Sequence, residues 1–368
     1  MHLLLDARPI LGPNTGDRSY WLGLCRSLPA AMPEARLTVA LDASPPPGLL
    51  PSVRNLSVAV ASSPGGRLWS AVSLPRLAAE LGADLVHVQY VAPTWLKCPF
   101  ITTVHDVSFA LYPRFFTLRD GLWLRTLVPP SARAAAAVIA DSDTTRDDLL
   151  RLYRLRPDRV HTVTLGLDER FMPPSTEEMA RVRARYELPE GYLLTVGVLQ
   201  PRKNLVGLLA AYARARAEHG LREPLVVAGK VGWRAEPIFA KVHALGLRDA
   251  VRFVGYVPDE DLPGLYGGAR LSLYPSFYEG FGLPPLESLA CGTPVVISTA
   301  PALLETAGAV APAVEARDEA GWAEIMARLA QDESARAELA ERGRIHAAAF
   351  TWARAAGDHA RVYDLALR

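Results

Sequence analysis

Short apolar runs alternate along the chain with longer stretches in which apolar positions recur at helical spacing. The runs predict buried strands at residues 2–6, 36–42, 53–61, 84–90, 100–104, 135–140, 160–166, 192–196, 225–229, 251–255, 271–274 and 295–298. An amphipathic helix is predicted from about Ser19 to Leu28, and the chain is helical from about Ala320 onwards. Strands that alternate with helices are typical of the α/β class with parallel sheets.

The length of the chain indicates two domains, because 368 residues exceed what one ordinary hydrophobic core supports. We predict an N-terminal domain over residues 1–172 and a C-terminal domain over residues 191–349. Pro173-Pro174 and the charged, helical stretch after them predict a linker over residues 173–190. A terminal helix is predicted within residues 350–368.

Composition narrows the class of protein. Half of the residues are hydrophobic and the net charge is +1, as in a soluble globular protein, and no basic stripe indicates nucleic acid as a partner. Cys25, Cys98 and Cys291 are far apart and odd in number, which indicates reduced thiols in a cytoplasmic protein and no metal-ligand spacing. Asp6 comes too early for a signal peptide, and no apolar run approaches the ~20 residues of a membrane span.

The most informative stretch runs from Ser276 to Glu287 and reads SFYEGFGLPPLE. Its two glycines have no side chains to cover the backbone amides, and Pro284 favours a helix start directly after them. Amides at a helix N-terminus attract anions, because the helix dipole acts in the same direction. Glu279 and Glu287, with seven residues between them, add acceptors for hydroxyl groups. A phosphate site flanked by such acceptors fits a nucleotide-sugar.

At these residues the sequence resembles glycosyltransferase family 4, whose members are retaining enzymes of the GT-B fold. The string EGFGLPPLE…GTPVV carries, without a gap, the family's pattern of two glutamates with seven residues between them. The resemblance implies two Rossmann-like domains that face each other across a cleft, with the terminal helix crossing back onto the first. It also implies that Glu279 holds the donor-sugar hydroxyls and Glu287 the ribose. The amides implied to face the sugar and the diphosphate belong to Gly280, Phe281, Gly282 and Leu283.

A second match to the family lies at residues 197–205, where a strand is followed by a turn, Arg202, Lys203 and a helix. Two adjacent cations suit a diphosphate, whose negative charge must be stabilised as it leaves. Many relatives have an arginine directly after the glycine, where this chain has Val198. The phosphate role therefore rests on Arg202 and Lys203.

Asp141-Ser142-Asp143 looks like the Asp-x-Asp metal motif of other glycosyltransferases. However, Ser142 or Asp143 is well placed to cap the helix that runs through Tyr153. We therefore predict no metal ion and no cofactor beyond the donor substrate, the cationic pair taking the place of a metal.

His105 follows a predicted strand, at the end where ligands bind in an open parallel sheet. The string TTVHD matches the family motif whose histidine lies beside the reacting sugar, so His105 is assigned to the active site. Asp106 either positions His105, meets the acceptor or caps the following turn. In the loop at residues 11–16, Gly16 is a point of close approach for the donor, although Asp17 and Arg18 depart from the family's usual second glycine.

The turn after the strand at 251–255 receives the nucleobase in the family, largely through backbone groups. Tyr256 and Val257 are therefore the predicted base contacts, and their side chains either touch the base or pack in the core. Similarity in GYVPDEDLPGLY to bacterial mannosyltransferases favours GDP-mannose over a UDP-sugar as donor.

The resemblance implies a retaining glycosyltransferase that moves a hexosyl group, with mannosyl favoured, to a glycan or a lipid-linked glycan held by the first domain. The alternatives are a nucleotide-sugar epimerase of the same fold and a non-catalytic sugar-nucleotide-binding module. Residues 109–125 interleave aromatic rings with arginines, which suits the inner face of a membrane. The same rings are equally suited to a core. We expect a cytoplasmic protein with peripheral membrane contact through this segment.

Overall fold

The computed structural model describes residues 1–12, 15–61, 69–93 and 95–368. The predicted loop at 11–16 includes Pro13 and Asn14, which lie outside the described residues. The chain forms two compact units. Unit 1 comprises Met1–Leu111, Leu118–Asp168 and Phe350–Arg368, and unit 2 comprises Tyr112–Thr117 and Glu169–Ala349.

A seven-stranded parallel sheet forms the centre of unit 1. Its strands are β1 (His2–Asp6), β2 (Arg36–Leu41), β3 (Leu56–Val60), β4 (Leu85–Gln89), β5 (Phe100–Val104), β6 (Ala137–Ala140) and β7 (Val160–Thr162). They are ordered β3-β2-β1-β4-β5-β6-β7 across the sheet. The order reverses between β1 and β4, the point at which parallel sheets bind ligands beyond the carboxyl ends of their strands.

Unit 2 contains a six-stranded parallel sheet. Its strands are β8 (Tyr192–Val196), β9 (Leu225–Ala228), β10 (Val251–Gly255), β11 (Ala269–Tyr274), β12 (Val295–Ser298) and β13 (Ala313–Val314). They are ordered β10-β9-β8-β11-β12-β13, so this order reverses between β8 and β11. The α/β class predicted from the sequence is confirmed in both units.

The helices, in chain order, connect or cover these strands. They are α1 (Gly16–Ala31), α2 (Leu74–Leu81), α3 (Ser108–Leu111), α4 (Leu118–Ala134), α5 (Asp143–Tyr153), α6 (Thr176–Arg185), α7 (Leu205–Glu218), α8 (Glu236–Ala244), α9 (Leu262–Gly267), α10 (Leu283–Ala290), α11 (Pro301–Ala307), α12 (Glu319–Gln331), α13 (Glu333–Ala347) and α14 (Trp352–Ala366). Within the described part of the chain, no helix combines the length and the apolar character needed to cross a bilayer.

The terminal helix α14 packs on α1 of unit 1, as the sequence predicted. Gly23 of α1 makes this close packing feasible, because a Cβ there would lie 1.9 Å from the ring of Trp352. Tyr20 of α1 and His359 of α14 join through a 2.7 Å hydrogen bond, and His87 of β4 bonds the hydroxyl of Tyr363 at 2.8 Å. All four of these polar side chains are buried.

Some predicted element limits differ from the structure. β7 ends at Thr162 rather than at residue 166, because its partner β6 ends at Ala140, opposite Thr162. Helix α6 lies in the predicted linker and packs on α9 of unit 2. The two units divide between Asp168 and Glu169.

Candidate active site

The cations of unit 2 lie in the loop after β8. Pro201–Lys203 forms one turn of 3-10 helix, and α7 begins after Asn204, whose φ of 53° is left-handed. Asparagine adopts this conformation more readily than most residues. The Asn204 amide also donates to the carbonyl oxygens of Pro275 at 3.1 Å and Ala316 at 2.6 Å. Sequence reasoning did not identify Asn204, although it fixes the turn that carries both cations.

Glu279 is bound by both of the predicted phosphate ligands. Its Oε2 accepts a hydrogen bond from Arg202 at 2.8 Å, and its Oε1 accepts one from Lys203 at 2.7 Å. Ser276 donates to the same Oε1 at 2.6 Å. These contacts form because β8 and β11 are neighbours in the sheet, so the loops that follow the two strands meet.

The pairing determines the charge of Glu279. Burial by itself would raise the pKa of this carboxyl group, but Arg202 and Lys203 outweigh burial and lower the pKa to about 2. Glu279 is therefore ionised throughout the physiological range. The cluster formed by Arg202, Lys203 and Glu279, which we call the cationic cluster, carries one net positive charge.

The glycine loop at residues 280–283 continues from Glu279 into α10. Gly282 has a φ of 113°, and a Cβ there would lie 2.7 Å from a methyl group of Leu303, so only glycine fits without strain. The carbonyl oxygen of Phe281 accepts a hydrogen bond from Thr306 at 3.0 Å. Leu283 begins α10 with a proline in its first turn, as predicted.

Glu287 lies on α10, and its Oε2 accepts a 2.8 Å hydrogen bond from the hydroxyl of Tyr266. Burial, together with the nearby charge of Glu287, raises the pKa of Tyr266 and keeps its hydroxyl a donor. Tyr266 is therefore a further residue that the sequence analysis missed. It is 21 positions from Glu287, and nothing in the spacing of the two residues indicated their contact.

The two predicted base contacts have different environments. Tyr256 is half exposed, whereas Val257 is buried in the core of unit 2 among residues that include Leu262 and Leu265. The side chain of Val257 is thus a packing residue, one of the two alternatives considered. Base binding by the backbone of Tyr256 and Val257 stays a prediction.

In unit 1, three adjacent strands end at His105 and its two hydrogen-bond partners. His105 follows β5, Gln89 ends β4 and Asp141 follows β6. The Nδ1 of His105 lies 2.6 Å from Oδ2 of Asp141, and its Nε2 lies 2.7 Å from the side-chain amide of Gln89. Asp17 lies 3.7 Å from the same Nε2.

The sequence analysis singled out His105 but not Gln89 or Asp141 as its partners. Because the carboxyl ends of neighbouring parallel strands share one edge of a sheet, a polar residue at each strand end was the available signal. Burial disfavours protonation of His105, but the charge and hydrogen bond of Asp141 outweigh burial and raise the pKa of His105 to about 9.

The structure separates the roles considered for the neighbouring acids. Asp106 accepts hydrogen bonds from the backbone amide of Ser108 at 2.7 Å and from its hydroxyl at 2.5 Å, so it caps the following turn. Ser142 accepts from the amide of Thr145 at 3.1 Å and caps α5, as predicted. Among the described residues, no group of three or more His, Cys, Asp or Glu side chains is arranged to hold a metal ion.

Gly16 is the first residue of α1. A Cβ at this position would meet no atom within 4 Å, so packing within the described part of the protein does not require glycine there. Its assignment as a donor contact stays a prediction.

The aromatic segment at residues 109–125 is divided between core and surface. Phe109 and Phe115 are buried, and Phe115 stacks on Phe277 within unit 2 at 5.7 Å. For these two rings the core alternative is correct. Helix α4, by contrast, exposes apolar side chains: Leu118, Leu122, Trp123 and Leu127.

Comparison with known proteins agrees with this geometry. The family model Glycosyltransferase Family 4 matches residues 19–171, and the model Glycosyl transferases group 1 matches residues 178–346. O-antigen chain mannosyltransferase B of Escherichia coli is 34% identical over 371 residues, covering 96% of this chain and 96% of that protein. The chain belongs to glycosyltransferase family 4.

Membership of glycosyltransferase family 4 confirms the predicted enzyme class. Sucrose-phosphate synthase from Thermosynechococcus elongatus has a TM-score of 0.78 at 22% identity, covering 99% of this chain and 98% of its own. HepE of Anabaena, solved in complex with UDP and glucose, has a TM-score of 0.75 at 19% identity, covering 99% of each chain. At these sequence identities the structural similarity shows the fold alone. The GT-B fold of this family 4 chain is confirmed.

Proposed function

We propose that the protein is a retaining hexosyltransferase that moves a mannosyl group from GDP-mannose to a glycan or a lipid-linked glycan. The observation that carries the proposal is the cationic cluster, which joins Arg202 and Lys203 to Glu279 beside a glycine loop and the N-terminus of α10. A nucleoside diphosphate needs such cations and amides, and a sugar needs such a carboxylate.

The proposed roles follow from charge. Arg202 and Lys203 stabilise the diphosphate as its bond to the sugar C1 breaks, and Glu279 accepts hydrogen bonds from sugar hydroxyls. Glu287, held by Tyr266, binds the ribose. A bond forms between C1 and the acceptor oxygen on the face that the diphosphate leaves. The acceptor's proton passes to an oxygen of the departing diphosphate, so the step requires no separate base.

The donor is the finer part of the proposal. The E. coli relative is named a mannosyltransferase, which supports mannose. HepE was solved with UDP, so a UDP-sugar is the competing donor. The backbone of Tyr256 and Val257 is proposed to contact the base, and these two residues lie directly after β10.

A ligand screen followed by product analysis tests this function. We expect GDP to raise the melting temperature more than UDP, ADP or dTDP, because at equal concentration the nucleotide with the lowest Kd stabilises the native state most. A ligand at 100 times its Kd contributes about 2.7 kcal/mol. We also expect slow hydrolysis of GDP-mannose without an acceptor, with α-mannose detected by NMR before mutarotation. A protein that none of the four nucleotides stabilises, or that releases β-mannose, would contradict the proposal.

We further propose that the protein acts at the inner face of a membrane, with α4 in contact with anionic lipid. On α4 the exposed apolar residues Leu122, Trp123 and Leu127 lie on one stripe with Arg119, and Arg125 is also exposed. Apolar side chains beside arginines favour the headgroup region of anionic lipid. Such contact would suit an acceptor that is itself lipid-linked.

A further inference from the structure

His105 is fixed at both ring nitrogens by side chains from the neighbouring strands of unit 1. Asp141 contacts Nδ1 at 2.6 Å and Gln89 contacts Nε2 at 2.7 Å. We propose that Asp141 is a positioning residue that sets the orientation of the His105 ring and keeps that ring in its imidazolium form. This inference rests on the proposed function only for what His105 does in the reaction.

The surroundings of Asp141 require a cationic partner. Its side chain is 3% exposed, and Oδ1 is buried without a hydrogen-bond partner among the described residues. A buried carboxylate is costly unless it is paired, and the contact at Oδ2 is with His105. An imidazolium at His105 therefore stabilises the carboxylate, and the carboxylate stabilises the imidazolium.

The other titratable groups around His105 act in the same direction or stay neutral. Asp17, at the start of α1, lies 3.7 Å from Nε2, and the adjacent Asp106 adds a third negative charge. Two histidines whose charge interacts with that of His105, His87 and His359, have pKa values lowered by burial and remain neutral. Together the acids outweigh burial and raise the pKa of His105 to about 9.

Rings around His105 limit its rotation. Tyr20 lies edge-on to the imidazole with 4.8 Å between ring centroids, and Tyr90 does so at 5.7 Å. The hydroxyl of Tyr20 is itself bonded to Thr103 at 2.8 Å. These contacts hold the ring in one orientation, with Nδ1 facing Asp141 and Nε2 facing Gln89.

Protonation at both nitrogens also determines the orientation of Gln89. The structure places the amide nitrogen of Gln89 2.7 Å from Nε2 of His105. Because an imidazolium can only donate, the assignment requires this amide to be turned by about 180°, so that its oxygen accepts from Nε2. Both N–H groups of His105 are then engaged, by Asp141 and by Gln89, so His105 contributes a fixed positive charge and cannot take a proton from the acceptor. This assignment agrees with a reaction in which the leaving diphosphate accepts that proton.

The acidic motif at 141–143 provides a matched control. Asp141 is buried against His105, whereas Asp143 is exposed and accepts a hydrogen bond from Thr162. Asp141→Asn and Asp143→Asn thus make the same chemical change two positions apart. Only the first removes the negative charge at Nδ1.

Histidine-labelled protein followed by ¹⁵N NMR between pH 5.5 and 10 tests the inference. His105→Gln identifies the resonances of His105 among the eight histidines. We expect His105 of the wild type to be an imidazolium at pH 7.5 and to titrate near pH 9. In Asp141→Asn it should titrate at or below its ordinary value of about 6.5, and Asp143→Asn should leave it unchanged.

The wild-type titration decides the inference even if Asp141→Asn does not fold. A neutral His105 at pH 7.5 overturns it, as does an unchanged titration in folded Asp141→Asn. Turnover is a separate readout. At pH 8 we expect Asp141→Asn to lose at least about tenfold in kcat, and its kcat should recover as the pH falls towards 6. Asp141→Glu, which keeps the negative charge, should lose less of its kcat than Asp141→Asn.

The two readouts separate the inference from the proposed function. If the NMR result is as expected but His105→Gln keeps wild-type turnover, Asp141 still positions and charges His105. In that case it is the proposed role of His105 in sugar transfer that fails.

Discussion

Glu279 binds the two cations that are proposed to receive the diphosphate. By the proposed roles, one carboxylate therefore belongs both to the sugar site and to the phosphate site. A diphosphate that reaches Arg202 and Lys203 must share them with Glu279. This contact has opposite consequences for binding and for turnover.

We predict that Glu279→Gln binds the free nucleoside diphosphate more tightly than the wild type, by at least about threefold, and loses at least about 100-fold in kcat. The carboxylate competes with the diphosphate for two cations, yet it is needed for the sugar, where one such contact is worth about 2.7–4 kcal/mol. Calorimetric titration and steady-state kinetics measure the two effects.

Lys203→Ala is the companion variant for Glu279→Gln. It should lower both binding and kcat, because it removes a cation and leaves Glu279 paired with Arg202 and Ser276. If either variant retains kcat within about threefold of wild type, the loss is well under 1 kcal/mol and the residue lies outside the site.

At the scale of single residues, the motifs identified which side chains matter but not which of them touch. Glu279, Arg202 and Lys203 were selected from the sequence, while their mutual pairing depends on the adjacency of β8 and β11. Ser276, Asn204, Tyr266 and Asp141 were not assigned because each acts through a partner at least three positions distant that no local pattern marks.

Among the elements, α14 is held on unit 1 by a buried network of neutral polar groups. The hydroxyl of Tyr20 bonds His359 at 2.7 Å and Thr103 at 2.8 Å, and His87 bonds both Thr103 and Tyr363. Burial lowers the pKa of His359 to about 4. The folded state therefore excludes a proton that the unfolded chain binds below about pH 6.5.

We predict that His359 makes unit 1 sensitive to acid. Since the unfolded chain binds more protons between pH 6.5 and pH 4, stability from this group is present above pH 6.5 and falls on acidification, by about 3 kcal/mol at pH 4. Urea unfolding of the wild type and His359→Gln at pH 7, 6, 5 and 4 should show the wild type losing its advantage. The exposed His243→Gln is the control, and a parallel pH dependence in wild type and His359→Gln would exclude this role.

Helix α4 carries the membrane proposal. We predict that the protein floats with anionic vesicles at low salt, and that Leu122→Ser with Trp123→Ser abolishes flotation. Arg119→Gln with Arg125→Gln should weaken it, because each basic residue near an anionic surface contributes about 1 kcal/mol, which salt screens. Ile345→Ser removes an exposed apolar side chain from α13 and should have no effect.

Retention in the soluble fraction at low salt would make α4 an ordinary exposed helix.

Sequence alone did not delimit α4, because Pro129 and Pro130 lie inside it and disfavour helix on local grounds. The buried strands were predictable, since a parallel strand covered on both faces is a continuous apolar run. Bounds such as the end of β7 depend on where the neighbouring strand stops, which a local pattern does not contain.

For the whole molecule, the cationic cluster leads us to predict activity without a divalent metal. Arg202 and Lys203 supply positive charge where a metal would otherwise sit, and Ser142 uses the Asp-x-Asp segment as a helix cap. Turnover in excess EDTA should equal turnover in buffer alone. Complete loss in EDTA, with recovery on adding Mg²⁺ or Mn²⁺, would contradict this assignment.

The bond between Tyr20 and His359 joins residues 339 positions apart, and all of unit 2 lies between them in the chain. During synthesis, α14 therefore leaves the ribosome only after residues 169–349, which can already have formed their own sheet. Until then, the apolar surface of α1 that α14 covers has no native partner. A nascent chain stalled at this stage would carry a folded unit 2 and an incompletely folded unit 1, with the latter depending on chaperones for its solubility.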